Sequence, residues 1–269
     1  MSTVQLGFLG AGHMAEAIAR GVLAAGLMEP KELLAADPDP ARRKLFQEEL
    51  KVRSVAENPP VVEAAPILVV AVKPQQFDKA LVPLGSLFGP AKLVISVCAG
   101  ISTAHIEKTV AAGTRVVRAM PNTPMLAGRG MAAVCAGSAA TPRDLAFAQR
   151  LLGAAGKVIR VPEDLMDAVT AVSGSGPAYF LYFAELVAAA GVEMGLSKDD
   201  AALLARVTFD GTARLLAESA DPPEVLRKNV TSPGGTTEAA IKKFDELGLP
   251  QIVSAAVKAA RDRGRDLGR

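Results

Sequence analysis

The sequence predicts an α/β chain in two parts, a doubly wound parallel sheet followed by an all-helical domain. Three observations carry this expectation. A buried strand, a glycine turn and a helix open the chain. Apolar runs suited to strands covered on both faces then recur as far as Val161, with helical segments between them. From Glu163 onward no strand pattern appears, and apolar residues follow helical spacing. The expected division is residues 1–163 and residues 164–269.

The first strand is Val4 to Leu9, the turn is Gly10-Ala11-Gly12, and the first helix runs from about Met14 to Gly26. Met14, Ile18 and Val22 give that helix its apolar spacing. The turn carries Gly10-x-Gly12-x-x-Ala15, the dinucleotide fingerprint in its Ala-ended form. Gly10 permits the sharp turn, Gly12 lets backbone approach a pyrophosphate, and Ala15 lets helix pack on strand. The phosphates would rest on free N–H groups at the helix start. This makes the first part a Rossmann-type domain; a glycine turn without a ligand is the bland alternative.

Leu33 to Ala36 is the second strand, ending at Asp37, 25 residues beyond Gly12. An acid there receives the adenine ribose hydroxyls and disfavours a 2′-phosphate. Arg42 and Arg43 follow and offer that phosphate a partner instead. Asp37 has a structural alternative, as the start of the helix near Pro40. Val52 to Val55 is a third strand, and Asn58 is expected to cap the next helix ahead of Pro59 and Pro60. Pro66 to Val72 reads as a central strand ending at Lys73-Pro74-Gln75. Ligands of doubly wound sheets bind beyond strand carboxyl ends, which puts Lys73 in their path unless it only faces solvent. Leu93 to Val97 leads to Cys98-Ala99-Gly100 and a helix from about Thr103. Arg115 to Met120, Gly130 to Ala136 and Val158 to Val161 complete a parallel-dominated sheet with room for an antiparallel edge.

In the second part, Ala178 to Met194 is apolar almost all round, so it must be buried. About 105 helical residues cannot easily surround it, which points to burial against a second subunit. Further helices are expected at about Lys198 to Ser219, Thr236 to Leu247 and Pro250 to Arg263. Two glycine-rich stretches precede helices: Thr170 to Pro177, with Ser173-Gly174-Ser175-Gly176, and Thr231 to Thr237, with Ser232-Pro233-Gly234-Gly235-Thr236-Thr237. Each is either a simple turn or a set of hydroxyls and N–H groups suited to a small carboxylate. Neither holds His, Lys or Cys. Reducing a ketone by hydride needs an acid for the developing alkoxide. A protonated cyclic imine already carries the charge that hydride neutralises, so hydroxyls and backbone donors suffice. Glu163 either meets a substrate ammonium or iminium, or faces solvent at the domain hinge.

The bulk properties exclude other classes. The chain has 269 residues, half of them apolar, and a net charge of +2, too small to argue for nucleic acid. The basic tail, Arg261 to Arg269, alternates with Asp262 and Asp266 and reads as a solvated helix end. Cys98 and Cys135 lie in apolar runs, as buried thiols of a reducing cytoplasm, and no metal spacing links them to His13 or His105. No signal peptide or membrane span is expected, since Glu16 and Glu185 interrupt the apolar runs.

The chain resembles pyrroline-5-carboxylate reductases over nearly its whole length. The matching motifs are Gly7 to Gly12, Ala71-Val72-Lys73-Pro74-Gln75, Arg118-Ala119-Met120-Pro121-Asn122, Ser173 to Tyr179 and Ser232 to Thr237. The first is shared by many reductases; the last two, in this order, are specific to the family. The resemblance implies hydride transfer from NADPH or NADH to the imine carbon of 1-pyrroline-5-carboxylate, giving L-proline in the last biosynthetic step. It implies that Leu9, Gly10, Ala11, Gly12, His13, Met14, Asp37, Asn58, Ala71, Val72, Lys73, Pro74, Cys98 and Ala99 line the cofactor, with Asn229 from the helical domain. Glu163, Ser175, Gly234, Gly235, Thr236 and Thr237 would line the substrate site, Thr237 bonding the ring nitrogen as the catalytic group. The helical domain would form homodimers, assembling further into a decamer. Many relatives carry a small hydroxyl residue where Asp37 stands, so cofactor preference does not carry over.

Two other readings compete. A β-hydroxyacid dehydrogenase would need a lysine acid/base early in the second domain, and Thr170 to Met194 contains none. A non-catalytic nucleotide-sensing protein would keep the first turn but have no use for the Ser232 to Thr237 loop.

Overall fold

A computed structural model describes residues 4–267. Gly268 and Arg269, the end of the basic tail, lie outside the described residues. Eight strands form one sheet: β1 Leu6–Leu9, β2 Leu33–Ala36, β3 Arg53–Val55, β4 Ile67–Val70, β5 Leu93–Ser96, β6 Arg115–Pro121, β7 Gly130–Ala136 and β8 Gly156–Arg160. Around and after them come α1 His13–Ala24, α2 Pro40–Glu48, α3 Pro59–Ala64, α4 Phe77–Leu81, α5 Thr103–Thr109 and α6 Pro142–Gly153. The helical half holds α7 Met166–Val169, α8 Gly176–Glu193, α9 Lys198–Glu218, α10 Pro223–Asn229, α11 Thr236–Glu246 and α12 Leu249–Leu267.

The strand order is β3-β2-β1-β4-β5-β6-β7-β8, which reverses direction beside β1 as a doubly wound sheet does. Side chains alternate between two cores, as a period of two requires. Phe8, Val69, Ile95 and Val117 enter one core; Leu9, Leu68, Val70 and Val94 enter the other. Gly7 is set by close approach rather than by a turn. A Cβ there would stand 2.5 Å from Val61 Cγ1 and 2.9 Å from Leu68 Cδ2, so α3 lies directly on β1.

The antiparallel element differs from a simple reversed edge. β7 runs antiparallel to β6, and β8 pairs parallel with β7, so the last two strands reverse together. The β6–β7 connection is one short 3-10 turn, Thr123–Ala127, closed by Gly128 in the left-handed region. A link that short cannot make a parallel crossover.

Two capping expectations are corrected. Asn58 precedes α3 but its side chain makes no cap bond; the prolines set that helix start. α2 is capped by Asp39, which accepts from Ala41 N–H, and not by Asp37. The stretch Thr170–Gly174 is also not a plain turn. It is one turn of π-helix running on from α7.

The described residues up to Ser175, with those from Ala260 onward, form one compact unit; Gly176–Ala259 forms the other. In the second unit α8 packs on α9, with Phe180 against Phe209, while Phe183 meets Phe244 of α11. α8 still leaves Phe180, Leu181, Tyr182 and Val187 exposed on the single chain. No described helix is long and apolar enough to cross a membrane.

Gly7→Ala is expected to lower folding stability by about 1–3 kcal/mol through overpacking. Urea denaturation followed by circular dichroism checks this.

Candidate active site

The register aligns Leu9 with Ala36 on one side and with Val70 on the other, and Val70 with Ser96. The residues that follow these four positions therefore gather at one edge of the sheet. Gly10 has φ +93, and a Cβ there would meet the Ala71 carbonyl oxygen at 2.8 Å. Only glycine serves at that crossing. Gly12 is the N-cap of α1 and offers no side chain to its first-turn N–H groups. The space where its Cβ would stand is empty to 4 Å. An open cradle of unpaired donors at a helix start suits a pyrophosphate. His13 is exposed, Met14 half-buried and Ala15 fully buried.

Asp37 is tied to this turn. Its Oδ2 accepts from Ala11 N–H at 2.7 Å and its Oδ1 from Asp39 N–H at 2.9 Å. Arg42 donates to the Ala11 carbonyl at 2.7 Å and to Glu16 at 2.8 Å. Arg20 holds the other Glu16 oxygen at 2.9 Å. Burial pushes the Glu16 carboxyl up, but bonds from the two arginines outweigh it and hold the group below its ordinary range. Arg43 donates to the carbonyls of Asp37 and Pro38, both at 2.8 Å.

Ala71 and Val72 are half-buried beyond β4; exposed Lys73 precedes the 3-10 turn that Pro74 opens. Cys98 lies buried beyond β5, its thiol donating to the Val72 carbonyl at 3.2 Å, with Ala99 half-buried beside it. Burial pushes the Cys98 thiol up to about 11, and burial together with the Glu163 charge does the same at Cys135. Thiolate is therefore scarce at both positions near neutral pH. Asn58, half-buried, lies beyond β3 and uses its carbonyl to start α3.

Sequence reasoning missed the partners of Glu163. The carboxylate accepts from Thr103 N–H at 2.7 Å and from the Thr103 hydroxyl. Arg118, nearly buried in β6, reaches Glu163 at 3.3 Å and Asp167 at 3.4 Å. Glu163 is thus not a free hinge carboxylate. Burial raises its pKa, while Thr103 and Arg118 lower it further, leaving it below the ordinary range. The available signal was Arg118 itself, a charge inside an apolar strand that demands a buried acid. Asn122 is similar: its amide donates to the Ser173 carbonyl at 3.0 Å and accepts from Met131 N–H at 2.8 Å. Those bonds hold the π turn, with half-buried Ser175 at its end, to the sheet.

In the second unit, Gly234 has φ +71 and donates its N–H to Glu238 at 2.9 Å. Gly235 N–H bonds the Ser232 carbonyl at 3.0 Å. Both glycine donors are therefore engaged. α11 begins at Thr236 with no side-chain cap, so the first-turn N–H groups of Thr236 and Thr237 have no capping partner among the described residues. Neither threonine hydroxyl has a hydrogen-bond partner among the described residues. Asn229 is the exposed last residue of α10.

Known proteins resemble this chain over its whole length. A family model described as pyrroline-5-carboxylate reductase dimerisation matches residues 163–267, and one described as NADP oxidoreductase, coenzyme F420-dependent, matches residues 5–100. A pyrroline-5-carboxylate reductase of Synechocystis is 41% identical, with 99% of each chain covered. The crystal structure of a pyrroline-5-carboxylate reductase from Coxiella burnetii superposes with a TM-score of 0.90 at 34% identity, covering 100% of both chains. A Plasmodium falciparum pyrroline carboxylate reductase with NADP bound superposes with a TM-score of 0.87 at 29% identity, again covering 100% of both.

Because the Glu163 pKa is lowered on folding, its contribution is full above the unfolded value and is lost as pH falls through the folded one. Glu163→Gln is expected to cost about 1–2 kcal/mol at pH 7, discounted for partial exposure. The difference from the wild-type chain should shrink as pH is lowered through and below 4.5. Urea titrations across that range measure it.

Proposed function

The chain belongs to the pyrroline-5-carboxylate reductase family, an NAD(P)H-dependent oxidoreductase forming L-proline, and we propose the residue roles by which it works. Identity across the full length to Synechocystis pyrroline-5-carboxylate reductase carries the assignment. In this reading residues 1–163 are the dinucleotide-binding domain and residues 164–269 the helical dimerisation and substrate domain.

The reduced nicotinamide, when bound, supplies the hydride. The chain's own residues bind and orient. Leu9 to Met14, Asp37, Asn58, Ala71 to Pro74, Cys98 and Ala99 hold the cofactor, together with Asn229. The empty cradle at Gly12 and the uncapped start of α1 support a pyrophosphate there. The Thr237 hydroxyl holds the ring nitrogen of the substrate. The uncapped N–H groups of Thr236 and Thr237 take its carboxylate, with Gly234 and Gly235 shaping the loop. Glu163 and Ser175 complete the substrate set. The substrate enters as the iminium, so hydride addition at carbon leaves a neutral amine nitrogen and no alkoxide for an acid to quench.

The protein is a homodimer through its helical domain. The exposed apolar residues of α8 are the surface such a dimer buries. Assembly of dimers into a decamer and a place in the cytoplasm are the further parts of this proposal, and sedimentation velocity of the wild-type chain reads the former.

Purified protein is expected to oxidise NADH or NADPH when given 1-pyrroline-5-carboxylate, measured as absorbance loss. Thr237→Val should lower kcat by about a hundredfold, a typical loss for one positioned hydrogen bond at a reacting group. Its dinucleotide affinity should stay within about twofold of wild type by calorimetry. Unchanged turnover would remove Thr237 from the mechanism. Leu181→Glu should give a folded monomer in sedimentation equilibrium, since Leu181 is 65% exposed on the single chain.

A further inference from the structure

The geometry around Asp37 points to a preference for NADH over NADPH in this chain. The inference rests on the family reading only in requiring that a nicotinamide dinucleotide binds. It concerns the end of the cofactor that distinguishes the two, the adenosine ribose, which carries a 2′-hydroxyl in one and a 2′-phosphate in the other.

The carboxyl end of the second strand is where that ribose is read. Asp37 stands there, directly after Ala36, and it is fixed rather than mobile. Ala11 N–H of the glycine turn holds Oδ2, and Asp39 N–H holds Oδ1. Each carboxylate oxygen keeps accepting capacity for a ribose hydroxyl. Against a phosphate dianion the same oxygens offer only like charge.

A phosphate would be tolerated if a spare cation stood beside it. The sequence offers two: the structure pairs Arg42 with a carboxylate and turns Nη1 of Arg43 onto backbone carbonyls. Arg42 is spent on the Ala11 carbonyl and on Glu16, which Arg20 also grips. Arg20 in turn reaches Glu49 at 2.5 Å. Arg43 is drawn back onto the carbonyls of Asp37 and Pro38. Turning the Arg42 guanidinium toward a 2′-phosphate would strip Glu16 and the Ala11 carbonyl of their partner, and turning Nη1 of Arg43 would free the carbonyls of Asp37 and Pro38. Glu16 makes the stronger case: only a tenth of its side chain is exposed, and it would lose a guanidinium that neutralises it. The carboxylate that repels a phosphate thus stands beside one arginine paired with Glu16 and a second drawn onto the carbonyls of Asp37 and Pro38.

The test is equilibrium binding without substrate. Calorimetry would give Kd values for NADH and NADPH with the wild-type chain, Asp37→Ser and Arg43→Ala. Displacement by AMP and by 2′,5′-ADP would isolate the adenylate end. Wild type is expected to bind NADH at least tenfold tighter than NADPH, and AMP tighter than 2′,5′-ADP. Asp37→Ser should shrink the NADH:NADPH ratio at least tenfold, and Arg43→Ala should leave it within about threefold. NADPH binding as tight as NADH in wild type overturns the inference. So does an unchanged ratio in Asp37→Ser, or a selective loss of NADPH in Arg43→Ala. If Asp37→Ser fails to fold, the wild-type ratio and the two adenylate probes still decide. Absence of binding by either dinucleotide would instead strike at the family reading.

Discussion

The parallel register between β1 and its two neighbours governs the first unit. Leu9 lies level with Ala36 and with Val70, so the chain leaves three strands at one height. Gly10 must then cross the Ala71 carbonyl at a distance no side chain permits. The glycine turn, the acid after β2 and the loop after β4 are consequences of that alignment. Two apolar cores hold it, one on each face, and each draws alternate residues of the same strands. A slip of one residue would send Phe8 and Leu9 to the wrong faces and dismantle the turn with them.

Much of this was legible in the sequence because it is local. Leu6 to Leu9, Ile67 to Val70 and Leu93 to Ser96 declare themselves by apolar continuity, and the turn by glycine spacing. What failed was the assignment of polar groups whose partners lie far along the chain. Glu163 finds Thr103, sixty residues away, and Arg118, forty-five away. Arg42 finds Glu16 across twenty-six. No spacing rule reports such pairs; burial of one charge only demands that some partner exist. The caps erred for a different reason. Asp37 and Asp39 are both plausible helix starts, and the glycine turn claims Asp37 for itself.

The second unit follows another logic. α8 has almost no polar face, so its packing on α9 leaves large apolar residues in water on the isolated chain. The hydrophobic effect makes that arrangement costly in a monomer and favours association. The glycine loop before α11 stays accessible beside it, with the Glu238 carboxylate holding Gly234 and backed by Lys242 at 3.4 Å. The loop's left-handed residue is thus fixed by its own helix.

The two thiols have a consequence for life under oxidative stress. Both are buried, and burial pushes both pKa values up to about 11, so the thiolate that would attack a peroxide or disulfide is scarce at neutral pH. Cys98 lies in the loop beyond β5, at the edge where the loops after β1, β2 and β4 gather, and packs there as a small buried side chain. Hydride chemistry at that edge would therefore meet no competing sulfur nucleophile.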